Sequence, residues 1–163
     1  MIRALCALLA IMVLAACGPE RVAVDRCDGL SLEFLWRSAD RTAASYYEVD
    51  VEGSFRSGGG QNAVMRTTSF AVRLDDREAA RFVALVRAID WRETADRPSD
   101  APADRSEVTV RDRGARRAMK FDGREPSLDA LRAFLAEIAL RQYRDTIDAQ
   151  PEAQTPIGSR QGG

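Results

Sequence analysis

Twice along this chain a run of alternating apolar residues stops at an Asp-x-Arg-Glu turn and gives way to helical spacing. The turns are Asp75 to Glu78 and Asp122 to Glu125. A period of two predicts a strand with one covered face, and a period near 3.6 predicts an amphipathic helix. Before the first turn, Leu30, Leu32, Phe34 and Trp36 alternate with Ser31, Glu33, Leu35 and Arg37. Tyr47, Val49, Val51 and Phe55 alternate with Glu48, Asp50, Glu52 and Ser54, which predicts a second half-buried strand through 47–55. Three consecutive glycines within Arg56 to Gln61 predict a flexible turn. Val64, Phe70, Val72 and Leu74 then share one face of a returning strand.

Asp75 and Glu78 form a capping-box pattern. Ala79, Phe82, Val83, Val86 and Ile89 follow at helical spacing, so a helix is expected over 76–90 with Trp91 closing over its end. Residues 92–104 contain Pro98, Pro102 and many charges and read as an exposed loop. Val108 and Val110, a turn at Asp112-Arg113-Gly114-Ala115, and the returning Met119 and Phe121 make a second hairpin. Pro126-Ser127 starts a last helix with Ser127 as its N-cap. Its stripe is Leu128, Leu131, Leu135 and Ile138 with Phe134 beside it, and it extends to about Tyr143 or Asp145. The expected class is α+β: an antiparallel sheet of about five strands, in the order β-β-β-α-β-β-α, with two helices packed on one face. The repeated hairpin, turn and helix suggest an internal ββα duplication. A single domain over 28–148 is expected, with a disordered tail over 149–163 where Pro, Gly, Gln and Ser dominate.

Arg3 precedes an unbroken apolar run from Ala4 to Ala16. A positive start, a short apolar core and small residues before a cut site predict a secretory signal peptide over 1–16. The run is too short for a membrane-spanning helix, which needs about 20 residues. Its ending, Leu14-Ala15-Ala16-Cys17, resembles the lipobox of bacterial lipoproteins. That resemblance implies cleavage before Cys17, a diacylglycerol on its Sγ, and a further fatty acyl group such as palmitate on the new N-terminus. Acyl chains contribute roughly 0.8 kcal/mol per buried methylene, so two or three anchor firmly where one does not. Residues 17–27 would then be a lipid-anchored tether. Gly18 is not the Asp that marks inner-membrane retention, so an outer membrane, on its periplasmic side, is the implied place in a host that has one.

Composition removes whole classes of chemistry. The chain has no histidine, which excludes Ser-His-Asp and Cys-His nucleophile systems and histidine zinc sites. Its 24 basic and 25 acidic residues leave a formal net charge of −1, so nucleic acid is not an expected partner. Lys120 is the sole lysine, hence the sole candidate for Ser-Lys or Schiff-base chemistry. Of three cysteines, Cys6 leaves with the signal peptide and Cys17 carries lipid. Cys27 alone remains, expected as a small buried residue, with an intermolecular disulfide or a reactive thiol as the alternatives.

Tyr46-Tyr47-Glu48-Val49, Phe82-Val83-Ala84-Leu85-Val86 and Asp90-Trp91, with a second hairpin before the last helix, resemble a class of small secreted bacterial domains without a known activity. Many of those carry paired cysteines ahead of the Tyr-containing strand, whereas Ala39 to Ser45 here has none. The resemblance implies a fold and no activity.

Two groups of charged residues stand out. Arg111, Arg113, Arg116 and Arg117 cluster around the second hairpin turn, and guanidinium forks recognise phosphate and carboxylate well. Glu48, Asp50 and Glu52 would line one strand face as a hard-cation or acid/base group, or, as is commoner, as a solvated face paired with Arg66 or Arg73. Gly58-Gly59-Gly60 lacks the Gly-Lys-Ser/Thr of a P-loop. Asp96, Asp100 and Asp104 do not have EF-hand spacing. Trp36, Trp91, Tyr46 and Tyr47 would make an aromatic surface or, as alternation favours for Trp36 and Tyr47, core. No cofactor or metal is expected. The expected function is a membrane-anchored envelope lipoprotein, held by lipid on Cys17, acting as a non-catalytic binding or structural module. Its partner would be an envelope protein, peptidoglycan or an anionic glycolipid. The alternatives are a cell-wall-acting hydrolase using carboxylates and a periplasmic inhibitor or ligand-binding protein.

Overall fold

Large apolar residues at every second position of β1 (Leu30–Arg37) bury one face of that strand, with Leu30, Leu32 and Phe34 almost wholly enclosed. The computed structural model describes residues 25–89, 91, 102–141 and 143–144. The expected signal peptide, Cys17, the tether up to 24, Asp96, Asp100 and the tail over 149–163 lie outside the described residues. Strands β2 (Ala44–Val49), β3 (Ser54–Gly59), β4 (Phe70–Arg73), β5 (Arg105–Asp112) and β6 (Ala115–Asp122) complete one sheet. Its order is β4-β3-β2-β1-β5-β6 and every pairing is antiparallel. Helices α1 (Gln61–Val64), α2 (Asp76–Arg87) and α3 (Pro126–Ala139) are the helices among the described residues.

The α+β class holds, with six strands instead of about five and a third, short helix. The second strand expected through 47–55 is two strands. Asp50 breaks it: its Oδ1 accepts the backbone N–H groups of Glu52 and Ser54 at 3.0 and 2.8 Å, closing a turn through Val51 and Gly53. Short Asp side chains offer the backbone this local alternative to a ladder. The glycines read as a flexible turn belong mostly to β3, where Gly58 faces Tyr46 and Gly59 faces Ser45. Only Gly60 turns, at φ 56°. Val64 leaves the returning strand and sits exposed in α1.

Both long helices pack on the same sheet face. Phe82 and Val86 of α2 and Leu131, Phe134, Leu135 and Ile138 of α3 share one core with Phe34, Val49, Phe55 and Val108. Phe34, Tyr47, Phe55 and Phe70 run across it as successive aromatic neighbours, 6.1–6.4 Å between ring centroids. The ion pair Arg81–Glu137, at 3.3 Å, joins the two helices at their outer sides, and Arg141, just past the end of α3, pairs with Glu78 of α2. The two Asp-x-Arg-Glu turns are not equivalent. Asp75 caps α2 with a full capping box to Glu78, whereas Asp122 ends β6 and α3 begins on Glu125. Ser127 is therefore not the N-cap. Its N–H and hydroxyl both donate to the Glu125 carboxylate, at 3.5 and 3.0 Å, and Pro126 occupies the first turn, where its missing N–H costs nothing.

The chain enters the domain just ahead of β1. Arg26 and Cys27 N–H groups both donate to the Val51 carbonyl, at 2.9 and 3.1 Å. Asp28 follows at φ 52° and holds two guanidinia, Arg113 at 2.7 Å and Arg87. Those guanidinia, Arg113 foremost, hold its carboxyl below the usual range. The unfolded chain therefore takes up this proton first. The stability that Asp28 contributes is complete above the ordinary carboxyl range and is lost as pH falls through the depressed folded value. Asp28→Asn should lower the melting temperature at neutral pH. It should also narrow the gap between melts at neutral pH and at about pH 3. An unchanged gap would mean that Asp28 carries none of the acid sensitivity.

Candidate functional site

The sheet face turned away from α2 and α3 is polar, and it is not bare. Ser31, Glu33, Leu35 and Arg37 of β1 lie on it, with Tyr46 and Glu48 of β2 and Glu107, Thr109 and Arg111 of β5 beside them by register. Leu35 is 2% exposed although it sits among these polar residues, because Ala63 of α1 packs against it and Tyr46. The segment after Gly60 thus folds back over this face. Its hydrogen bonds hold it down: Thr67 N–H to the Asn62 carbonyl and Ser69 N–H to the Ser57 carbonyl, each at 2.8 Å.

Arg66 ends the fold-back. Its backbone is left-handed, φ 54°, a conformation that costs a side-chain-bearing residue roughly 1–2 kcal/mol. In that conformation its guanidinium meets Glu107 at 2.7 Å and approaches Glu33 at 4.0 Å. Between this bridge and β6 lies a cleft of about 420 Å³, lined by Glu33, Tyr46, Arg66, Glu107, Arg116 and Lys120 among others. A smaller hollow of about 160 Å³ adjoins Ser31, Glu48, Asp50 and Arg111 on the same face. Burial, with the neighbouring Glu33 and Glu48 carboxylates, pushes the Tyr46 hydroxyl pKa up, so it stays a neutral donor and acceptor.

The four hairpin arginines do not act as one group. Arg111 and Arg116 stand directly opposite each other across β5 and β6 on the polar face. Arg113, in the turn, is committed to Asp28. Arg117 lies opposite Val110, on the side of the helices. Like charges directly opposite on a sheet repel. Among the described residues Arg111 and Arg116 have no acidic partner within salt-bridge distance. Lys120 lines the same cleft as Arg116.

The carboxylate row Glu48, Asp50 and Glu52 does not form, because Asp50 and Glu52 are in the turn. Arg56, not Arg66 or Arg73, meets Glu48 at 3.3 Å and Asp50 at 3.9 Å. Arg73 instead donates to the Glu52 carbonyl at 3.4 Å. Among the described residues no group of acidic, Cys or His side chains is placed to hold a metal ion. The aromatics divide as well. Tyr46 belongs to the cleft and Tyr47 is core, Trp91 packs against that core, and Trp36 donates Nε1–H to Asp104 at 3.3 Å with Arg132 stacked over its ring. Cys27 is fully enclosed, and burial, with Asp50 and Asp25 adding, pushes its thiol up to about 11. A thiol of that kind is a poor nucleophile at neutral pH.

Arg66 was not visible as a site residue in the sequence. Its partner Glu107 is 41 positions away and no spacing links them. The one signal was Leu35, an apolar residue in the polar half of an alternating strand, which marks something lying over that face. No known protein family matches the chain and no characterised protein matches it, so its chemistry is read from its own residues.

Proposed function

We propose that this protein is a lipid-anchored lipoprotein of the bacterial envelope, a non-catalytic module that binds an anionic envelope component through the polar face of its sheet. The observation that carries the anchor is the order of Arg3, the apolar run and Leu14-Ala15-Ala16-Cys17. The binding reading is supported by Arg116 and Lys120, which line the cleft, and by Arg111, which stands opposite Arg116 on the same face with a repulsion that an anion would relieve. The outer membrane, on its periplasmic side, follows from Gly18 in a host with two membranes. The carboxylate-hydrolase alternative gains nothing from this face. A general acid needs apolar surroundings, and Glu33, Glu48, Asp50 and Glu107 each sit near a guanidinium instead.

Intact-mass analysis of the native product should find a polypeptide that starts at Cys17 and carries fatty acyl mass, and Cys17→Ala should release the protein from the membrane fraction. A product starting elsewhere, or unmodified at Cys17, would remove the anchor. For the binding face, anionic envelope material that co-purifies with the protein should fall away in the Arg111→Ser/Arg116→Ser double variant. Equal recovery would remove that role from the pair.

A further inference from the structure

A second cleft, of about 700 Å³, opens at the far end of β1, between the loop after that strand and the start of β5. Ligand sites commonly have volumes of about 300–1,000 Å³. Arg37, Arg41 and Arg105 line it, with Ala43, Ala44, Val64, Pro102 and Ala103 as apolar wall. Arg37 and Arg105 are directly opposite each other across β1 and β5, again like charges in register. Asp122 is the one acidic lining residue among those described, and it is bound to Arg105 at 3.3 Å.

One feature of this cleft lacks an internal explanation. Among the described residues Arg37 Nε is buried with no hydrogen-bond partner, which a folded protein seldom tolerates. Arg41 stands at φ 60° in a tightly built loop, where its N–H donates to the Ser38 carbonyl at 2.9 Å and closes the turn. Ser38 N–H donates to the Ala43 carbonyl at 2.9 Å, and Thr42 N–H and Oγ1 and Ser38 Oγ donate to Asp40. Among the described residues four non-glycine residues have left-handed backbones: Asp28, Arg41, Arg66 and Arg113. Asp28, Arg66 and Arg113 each hold an ion pair. Arg41 is exposed and has no ion pair or side-chain hydrogen bond among the described residues, so its guanidinium is open to a ligand.

We propose that this cleft binds an organic phosphate: a phosphate group held by Arg37, Arg41 and Arg105, with its apolar body against the alanines, Val64 and Pro102. Three guanidinia supply more donors and more charge than one carboxylate can use, while a phosphate ester offers three acceptor oxygens and close to two negative charges. The phosphate would relieve the Arg37–Arg105 repulsion and give Arg41 a partner. The site goes beyond the binding face described above and lies at the opposite end of β1 from the point where the chain enters the domain.

Calorimetric titration of the purified full chain with phenyl phosphate, inorganic phosphate and phenol tests it. Phenyl phosphate should bind in a salt-sensitive way and more tightly than inorganic phosphate, and phenol should not bind. Arg41→Asn should weaken phenyl phosphate by about tenfold or more. Its melting temperature should hold or rise, because Asn accepts the left-handed region more readily. Arg41→Gly should behave alike, and Arg77→Ala, an exposed cation on α2, should leave binding unchanged. No binding of phenyl phosphate, wild-type affinity in both Arg41 variants, or an equal loss in Arg77→Ala would overturn the site. Equal affinity for inorganic phosphate would overturn its apolar half. A silent titration leaves the lipid anchor standing, and an unlipidated Cys17 leaves the titration as it is.

Discussion

Gly58→Ala should lift the fold-back segment off the sheet and destabilise the protein by about 3 kcal/mol, at the upper end of what overpacking costs. A Cβ on Gly58 would stand 2.2 Å from the Thr67 carbonyl oxygen and 3.3 Å from the Asn62 Cβ. The obstacle is backbone, which cannot swing aside as a long side chain can. Thr67 is itself tied to Asn62, and Ser69 to Ser57. The segment must therefore leave as a unit, and it takes with it the cover over Leu35 and Tyr46 and the Arg66–Glu107 bridge. Gly59→Ala is the control, because its Cβ would meet nothing within 4 Å. Urea unfolding of both variants, with hydrogen exchange at the Ser69 amide, reads the result. A Gly58→Ala midpoint equal to that of Gly59→Ala would show that the segment yields without cost.

Phe34→Ala should cost about 4 kcal/mol, in the usual range for a buried Phe cut back to Ala. Phe34 has no exposed surface and is stacked on Tyr47 with ring centroids 6.2 Å apart. Its strand neighbours are Tyr47 on one side and Val108 on the other, so the hole would open in the middle of the sheet, under the helices. Small domains are held by about 5–15 kcal/mol in all, so this variant should be close to unfolding at body temperature. A loss under about 1 kcal/mol in denaturant melts would mean that α2 and α3 collapse into the space.

Where a residue's neighbours in sequence decide its structure, the sequence was readable. The alternation in β1 and β5, the Asp75–Glu78 capping box and the Leu128 to Ile138 stripe all appear where expected. Two local signals were overruled, one by a neighbouring side chain and one by backbone from farther along the chain. Val51 continues an alternating pattern, yet Asp50 turns the chain beneath it. Gly58 and Gly59 look like a hinge, yet they are strand residues, and Gly58 is small because the Thr67 backbone crosses it. The polar face was harder. Its composition was legible in Glu33, Glu48 and Arg111, but its depth was not, since α1 and Arg66 create it through pairings that no periodicity encodes. Hairpin proximity suggested one group of four arginines. Strand pleat decides otherwise, sending Arg116 and Arg117 to opposite faces and leaving Arg113 to the entrance of the chain.

That entrance has a mechanical consequence. From Asp25 the chain passes through the Cys27–Leu30 turn into β1, a central strand laddered on both sides to β2 and β5. Any tension applied at Asp25 runs along β1 and loads two ladders in shear at once, together with the Val51 latch. Edge strands such as β4 or β6 would peel bond by bond under the same pull. The domain is thus gripped by its most firmly seated strand, and it should withstand being tugged from that end far better than from the other.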